Sequence, residues 1–254
     1  MRYFLLLAYK GTRYAGWQRQ KNALSVQEVL ETALATILRQ PVELTGCGRT
    51  DAGVHARRFV AHLDVQGRIP ARFLNGLNSL LPADLAVYGI YPVHPEAHAR
   101  FDANLRSYTY CITFRKDPFL TETAWFYPHQ SQLDAQQLSE VAGLLQQYEH
   151  FFPFCKSHSG VEHYRCTGLQ ARWEPAADQL LFHISANRFL RGMVRLIVGA
   201  SIQVARGQLA LDDIRRALDE QTTLKKNWSA PPEGLALTEV KYPYDWETTS
   251  KPIH

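Results

Sequence analysis

The chain is 254 residues long, enough for one large domain or two small ones, and 46% of it is hydrophobic, which is ordinary for a protein with a real core. Its formal net charge is +4 and its pI is near 8.9, a balance compatible with a nucleic-acid partner without demanding one. The four cysteines, Cys47, Cys111, Cys155 and Cys166, include no Cys-x-x-Cys pair, which argues against a disulfide scaffold and suits a reducing cytoplasm; no apolar run approaches the roughly 20 residues that a membrane-spanning helix needs.

Residues 2–9 are apolar and aromatic and read as a buried strand, too short for a signal-peptide core. Residues 25–39 place Val26, Val29, Leu30, Ala33, Leu34, Ile37 and Leu38 on one face of a helix, with Ser25 and Glu28 in a capping-box pattern at its start and Pro41 beyond its end. Strands are expected at about 42–46 and 58–65, a short helix opened by Pro70, and a strand from Leu85 to Val93. The second half reads alike: a strand over about 105–115, a helix over 134–148 with Asp134 near its cap, strands at about 163–174 and 179–186, helices over about 188–206 and 212–220, and a strand over 235–241. The order in each half is β-α-β-β-α-β, so the expected fold is α+β. Two ferredoxin-like or RRM-like units, residues 1–97 and 98–254, would join around a largely antiparallel central sheet with a cleft between them.

Between two of the expected strands lies Gly48-Arg49-Thr50-Asp51-Ala52-Gly53-Val54-His55-Ala56. It puts one carboxylate on a tight, glycine-flanked loop, with a guanidinium two residues earlier. Loops held on a rigid sheet are where catalytic side chains tend to sit, although an Asp in such a turn commonly bonds only its own backbone. A Rossmann fingerprint is set aside: Gly46-x-Gly48 lacks the third glycine, and the loop feeds a strand rather than a helix.

The segment Gly48 to His55 resembles the catalytic segment of the tRNA pseudouridine synthase A family. Other stretches are similar to that family in the same order: Tyr9-Lys10-Gly11-Thr12 with Tyr14 to Gln20, Ser25-Val26-Gln27-Glu28, Ala99 to Ala103 with Arg106 to Tyr110, Asn187 to Gly199, and Ala230 to Leu237. Lys10 stands where the family commonly has Asp, and Glu149 to Arg165 is a weaker match. The resemblance implies two joined halves with tRNA entering a central cleft, no cofactor, no metal and a homodimer. It also implies isomerisation of uridine to pseudouridine at positions 38, 39 and 40 of the anticodon stem-loop.

That reaction breaks the N1–C1′ bond of a uridine and rejoins C1′ to C5 of the detached base, so it needs neither redox chemistry nor phosphate cleavage. One carboxylate can serve it, by nucleophilic attack or by proton transfer. By the resemblance that carboxylate is Asp51; whether it adds to C1′, adds to the uracil ring or removes a sugar proton stays open. The target base must leave its stack first. Arg49 is placed to occupy the vacated space or hold a neighbouring phosphate, or to pair with Asp51. His55 reads as a loop anchor or phosphate contact before a general base. Tyr108 matches the family tyrosine that stacks on the target base, against a plain reading as a core tyrosine beside Tyr110. Arg188, Arg191 and Arg195 recur on one face of the expected helix, as a solvated row or as anion ligands. By resemblance Arg195 would pair with Asp51 and hold it ionised. Leu237 would close the uracil pocket, or serve as an ordinary strand-core residue.

Cys155, His158, His163 and Cys166 have the residue types of a zinc site, although the family resemblance implies no metal. Two further readings compete: a pseudouridine synthase with another RNA target, and a catalytically silent RNA-binding module in which Asp51 would be dispensable. A zinc-dependent base-modifying enzyme is disfavoured by the lack of a His-x-Glu…Pro-Cys-x-x-Cys signature.

Overall fold

The apolar run at the start of the chain becomes β1 (Arg2–Tyr9), whose Phe4, Leu5 and Leu7 are wholly buried. Because neighbouring strand residues face opposite ways, burial of successive residues means that both faces of β1 are covered. The computed structural model describes residues 1–67, 69–70, 72–156, 162–226 and 228–248. These residues form an α+β protein with nine strands and five α-helices, paired mostly antiparallel. They divide into two compact units, Met1–Asn104 together with Leu237 onward, and Leu105–Ala236.

The first unit runs β1, α1 (Val26–Leu38), β2 (Thr45–Gly46), β3 (His55–Asp64), α2 (Phe73–Leu80) and β4 (Leu85–Pro92). Antiparallel ladders put β1 between β3 and β4, and β2 pairs with β3. The Ser25 hydroxyl accepts the Glu28 amide at 3.2 Å, which caps α1 as its sequence suggests. Helix α1 buries Val26, Leu30, Ala33 and Leu34, and also one carboxylate, Glu31. Helix α2 begins at Phe73 rather than Pro70, after Arg72 in the left-handed conformation at φ 60°. The strand expected over 42–46 is only Thr45–Gly46.

The second unit contains β5 (Leu105–Thr113), β6 (Trp125–Phe126), α3 (Ala135–Leu145), β7 (Gln170–Ala176), β8 (Gln179–Ala186), α4 (Met193–Ala205) and α5 (Leu211–Glu220). β9 (Leu235–Lys241) carries the chain from this unit back to the first. β8 lies between β5 and β7 in antiparallel ladders, and β6 pairs parallel with β5. The Asp134 carboxylate accepts the amides of Gln136 and Gln137 and starts α3. Two expectations shift here. β7 starts at Gln170, because residues 163–169 bridge elsewhere: Arg165 pairs with His150, and Gly168 takes φ +66°. Helix α4 starts at Met193, because Gly192 takes φ +70° just before it. Arg188 and Arg191 therefore precede the helix and do not share a helical face with Arg195. No helix among the described residues is long and apolar enough to cross a membrane.

Candidate active site

The loop carrying Asp51 joins β2 to β3 within the first unit. Its entry is tied when the Cys47 amide donates to the Val60 carbonyl at 2.7 Å. Thr50 is buried; its hydroxyl shares a 2.9 Å hydrogen bond with the Tyr9 hydroxyl, and its carbonyl accepts the Trp17 amide at 3.4 Å. The Gly53 amide donates to the Tyr14 carbonyl at 3.2 Å, and the Val54 amide closes a turn onto the Asp51 carbonyl at 3.1 Å. Of the two glycines flanking Asp51, Gly53 takes the left-handed conformation at φ +79°, while Gly48 is not among the positive-φ glycines.

Close backbone approach explains two other glycines. A Cβ on Gly16 would sit 2.2 Å from the Thr50 carbonyl oxygen, and one on Gly11 would sit 2.0 Å from that of Val54. Both lie in the segment after β1 that the sequence links to the loop only by family resemblance. His55 is 5% exposed, and its Nδ1 accepts the Gly11 amide at 2.9 Å, so it anchors the loop as expected. Beneath the loop, Trp17 stacks on Phe59 at 4.1 Å, with Tyr9 against both. Tyr14, whose carbonyl holds Gly53, is itself held: its hydroxyl donates to Asp84 at 2.7 Å, as does the Arg13 guanidinium. Burial pushes the Asp84 carboxyl up, but these two donors outweigh it and keep it below the usual carboxylate range.

On this frame Asp51 is half-buried and Arg49 is exposed, two positions before it. Leu237, in the same unit on β9, is 2% exposed, as a strand-core residue would be.

Tyr108 and Arg195 belong to the second unit. Tyr108 is half-buried on β5, and its ring meets Phe189 edge-on at 5.2 Å. Its neighbour on the same strand face, Tyr110, is fully buried; its hydroxyl donates to the Pro231 carbonyl at 2.7 Å, and burial raises its pKa. Tyr110 is thus a core tyrosine and Tyr108 is not. Arg195, half-buried on α4, donates from Nε to the Ala230 carbonyl at 2.7 Å, while its own carbonyl accepts the Ala230 amide at 2.9 Å. Helix α4 runs tight against this segment, since a Cβ on Gly199 would fall 1.7 Å from the Trp228 carbonyl oxygen. Arg188 reaches His163 at 3.0 Å, and the Arg191 carbonyl accepts the Lys156 amide at 3.0 Å.

His158 of the cysteine and histidine cluster lies outside the described residues. Cys155 and Cys166 are free thiols. The Cys166 thiol points toward the Met193 sulfur at 4.0 Å, and burial pushes its pKa up to about 11. No group of three or more His, Cys, Asp or Glu among the described residues could hold a metal.

A family described as "tRNA pseudouridine synthase" matches residues 6–102 and 147–243 of the chain, spanning both the Asp51 loop and Arg195. A protein named tRNA pseudouridine synthase A from Porphyromonas gingivalis is 45% identical over 249 residues, covering 96% of this chain and 98% of its own. Proteins of the same name from Bacteroides fragilis and Geobacter sulfurreducens are 45% identical over 248 residues and 36% identical over 245; the alignments cover 96% and 94% of this chain and 97% and 98% of theirs. With near-complete coverage in both directions, the chain belongs to the tRNA pseudouridine synthase A family.

Proposed function

We propose that this chain isomerises uridine to pseudouridine at positions 38, 39 and 40 of the tRNA anticodon stem-loop, with Asp51 as the acting carboxylate. Family membership makes it an isomerase that acts on tRNA uridine. The observation that carries the choice of Asp51 is its setting: a half-buried carboxylate on a loop tied at Thr50, Gly53 and Val54 and backed by a wall of aromatic rings. Such a loop holds its side chain in place without reorganising during the reaction, which is what a positioned nucleophile or base needs.

The bond changes balance without a co-reactant. C1′ leaves N1 and joins C5, the proton of C5 is lost, and N1 gains one. Asp51 can hold C1′ or the uracil ring covalently while the base turns, or can take a proton from the sugar. Arg49, exposed on the same loop, suits the space left by an extruded base or the phosphate beside it. By the family resemblance Tyr108 and Leu237 are assigned to the uridine, and Arg195 to the substrate pocket as the partner that holds Asp51 ionised. A Tyr108 ring braced edge-on by Phe189 is a suitable face for uracil. A cytoplasmic homodimer belongs to the same reading, as does the cleft between two ferredoxin-like halves.

The test is incubation with unmodified tRNA transcripts, followed by mapping of pseudouridine. Modification at 38, 39 or 40 by the parent is expected, and none by Asp51→Asn, with tRNA affinity retained. Modification elsewhere would assign another RNA target. Parent-level turnover by Asp51→Asn would remove Asp51 from the chemistry, and no turnover by either would favour the silent RNA-binding module.

A further inference from the structure

Helix α1 does for Leu44 what a neighbouring strand ordinarily does. Leu44 lies immediately before β2 and so outside its two-residue ladder. Its amide donates to the Glu31 carboxylate at 2.9 Å, and its carbonyl accepts the Gln27 side-chain amide at 3.0 Å. Gln27 and Glu31 are one helical turn apart, on the same side of α1. The Gln27 amide also donates to Glu31 at 2.9 Å, and its carbonyl oxygen accepts the Arg19 backbone amide at 3.0 Å. Arg19 completes the set by reaching the second Glu31 oxygen at 3.4 Å. Glu31 is only 6% exposed. A carboxylate buried beside Leu30 and Leu34, where an apolar residue would pack at no desolvation cost, costs stability unless its acceptor oxygens are used.

What they are needed for follows from the chain direction. Thr45 and Gly46 make the two pairs of β2, Cys47 ties to Val60, and the Asp51 loop begins. A two-residue strand is a weak register-keeper, so the residue entering it must be fixed from elsewhere. The same helix end holds the far side of the loop. The Val26 and Gln27 amides donate to the carbonyls of Gly16 and Trp17 at 3.2 and 3.0 Å. Gly16 lies against the Thr50 carbonyl, and Trp17 donates to it. Gln27 therefore reaches both flanks of the loop, through its backbone on one side and its side chain on the other.

We propose that Glu31 and Gln27 are positioning residues for the Asp51 loop: they set the entry of β2 and so the placement of the carboxylate, without touching substrate. This rests on the reading of Asp51 as the acting group. The experiment compares Glu31→Met, Glu31→Gln and Asp51→Asn for single-turnover rate, tRNA affinity, melting temperature, and hydrogen exchange over residues 44–54. Glu31→Met keeps helix propensity and volume but removes both acceptors. The rate should fall about 10- to 100-fold, as misplacement by a fraction of an ångström costs, with tRNA affinity within about twofold of the parent. Exchange over residues 44–54 should rise while that of α1 stays unchanged. Glu31→Gln keeps an acceptor for Leu44 and should recover most of the rate. If Glu31→Met does not fold, Gln27→Met carries the same expectations.

Parent-level rate and exchange in a folded Glu31→Met or Gln27→Met would overturn the proposal. So would a rate loss matched in Glu31→Gln, since that would assign the effect to charge. If instead Asp51→Asn turns over normally while loop exchange rises in Glu31→Met, the clamp stands and the catalytic reading of Asp51 falls.

Discussion

The Asp51 loop and the Asn187 to Arg195 segment carry similar signals in sequence, a glycine and arginines beside residues of family resemblance, and they are built in different ways. At the loop, backbone lies against backbone: a Cβ on Gly16 would meet the Thr50 carbonyl at 2.2 Å, and the Cys47 and Gly53 amides end on carbonyls of other segments. In the second segment, the three atoms nearest to a Cβ on Gly192 would be side-chain carbons of Lys156, at 2.8 Å. Gly16 takes φ +90° and Gly192 φ +70°, so conformation alone does not separate them. The neighbour does. The Thr50 carbonyl accepts the Trp17 amide, and the same residue is held through its hydroxyl by Tyr9, so it retreats only at a cost, whereas a lysine side chain can swing aside. The same residue type thus marks a rigid site in one place and a helix start in the other.

Gly16→Ala is the sharpest way to break the first region. The left-handed backbone costs roughly 1–2 kcal/mol for alanine, and the clash with a fixed carbonyl adds about 1–3 kcal/mol more. Urea denaturation should show a loss of several kcal/mol. Turnover of the folded fraction should drop as well, because the strain is relieved by moving Thr50 and with it Asp51. Parent-like stability would mean that the loop yields easily and that the two regions do not differ in stiffness.

Acid sensitivity should also differ between the units. In the first, His62 on β3 is buried, and its Nδ1 accepts the Ala99 amide at 3.0 Å. Burial, and then the nearby Arg2 and His98, push its pKa from 6.5 down to about 4. Asp64 and Asp102 oppose this without reversing it. The folded state thus holds His62 neutral while the unfolded chain protonates it. The stability it contributes is present in full above pH 6.5 and is lost as pH falls from 6.5 through about 4. The loss is on the order of 2–3 kcal/mol by the bottom of that window. His183 in the second unit is also shifted down by burial, but Glu174 stands 3.3 Å from its Nε2 and pulls the other way. His62→Asn keeps an acceptor for Ala99 and cannot titrate, so it should flatten the pH dependence of denaturation far more than His183→Asn does. Equal slopes for both variants would remove the distinction.

Periodicity made the frame legible: β1, α1, β8 and α5 fall within a residue or two of their expected places, and α3 starts one residue from its expected place and ends three short, because each carries an uninterrupted apolar pattern or a side-chain cap. Failures came where one backbone angle overrode the pattern. Gly192 cuts α4 short by several residues and separates Arg188 and Arg191 from Arg195, and nothing in residue spacing announces a positive φ there. The site was legible unevenly. His55 was readable as an anchor from its place in the loop. The hold of Tyr9 on Thr50, and of Gln27 and Glu31 on Leu44, joins residues distant in sequence and has no local signature. The one hint was Glu31 itself, an acid adjoining the apolar stripe of α1.

The smallest effect expected is that of Gly192→Ala. Alanine must adopt φ +70° before α4, at roughly 1–2 kcal/mol, but the Lys156 side chain can move away and the contact adds little. The start of α4 should survive, because the Leu196 amide still has the residue 192 carbonyl to donate to. Arg195, in the first turn of the helix, should keep its exchange of hydrogen bonds with Ala230. Turnover should therefore stay close to the parent while the melting temperature falls by a few degrees. Pairing Gly192→Ala with Lys156→Ala tests the reason. If the lysine is the soft neighbour, removing it should leave the cost of Gly192→Ala almost unchanged, whereas removal of a rigid obstacle would restore stability. A double variant much more stable than Gly192→Ala alone would show that the second segment is as tightly held as the first.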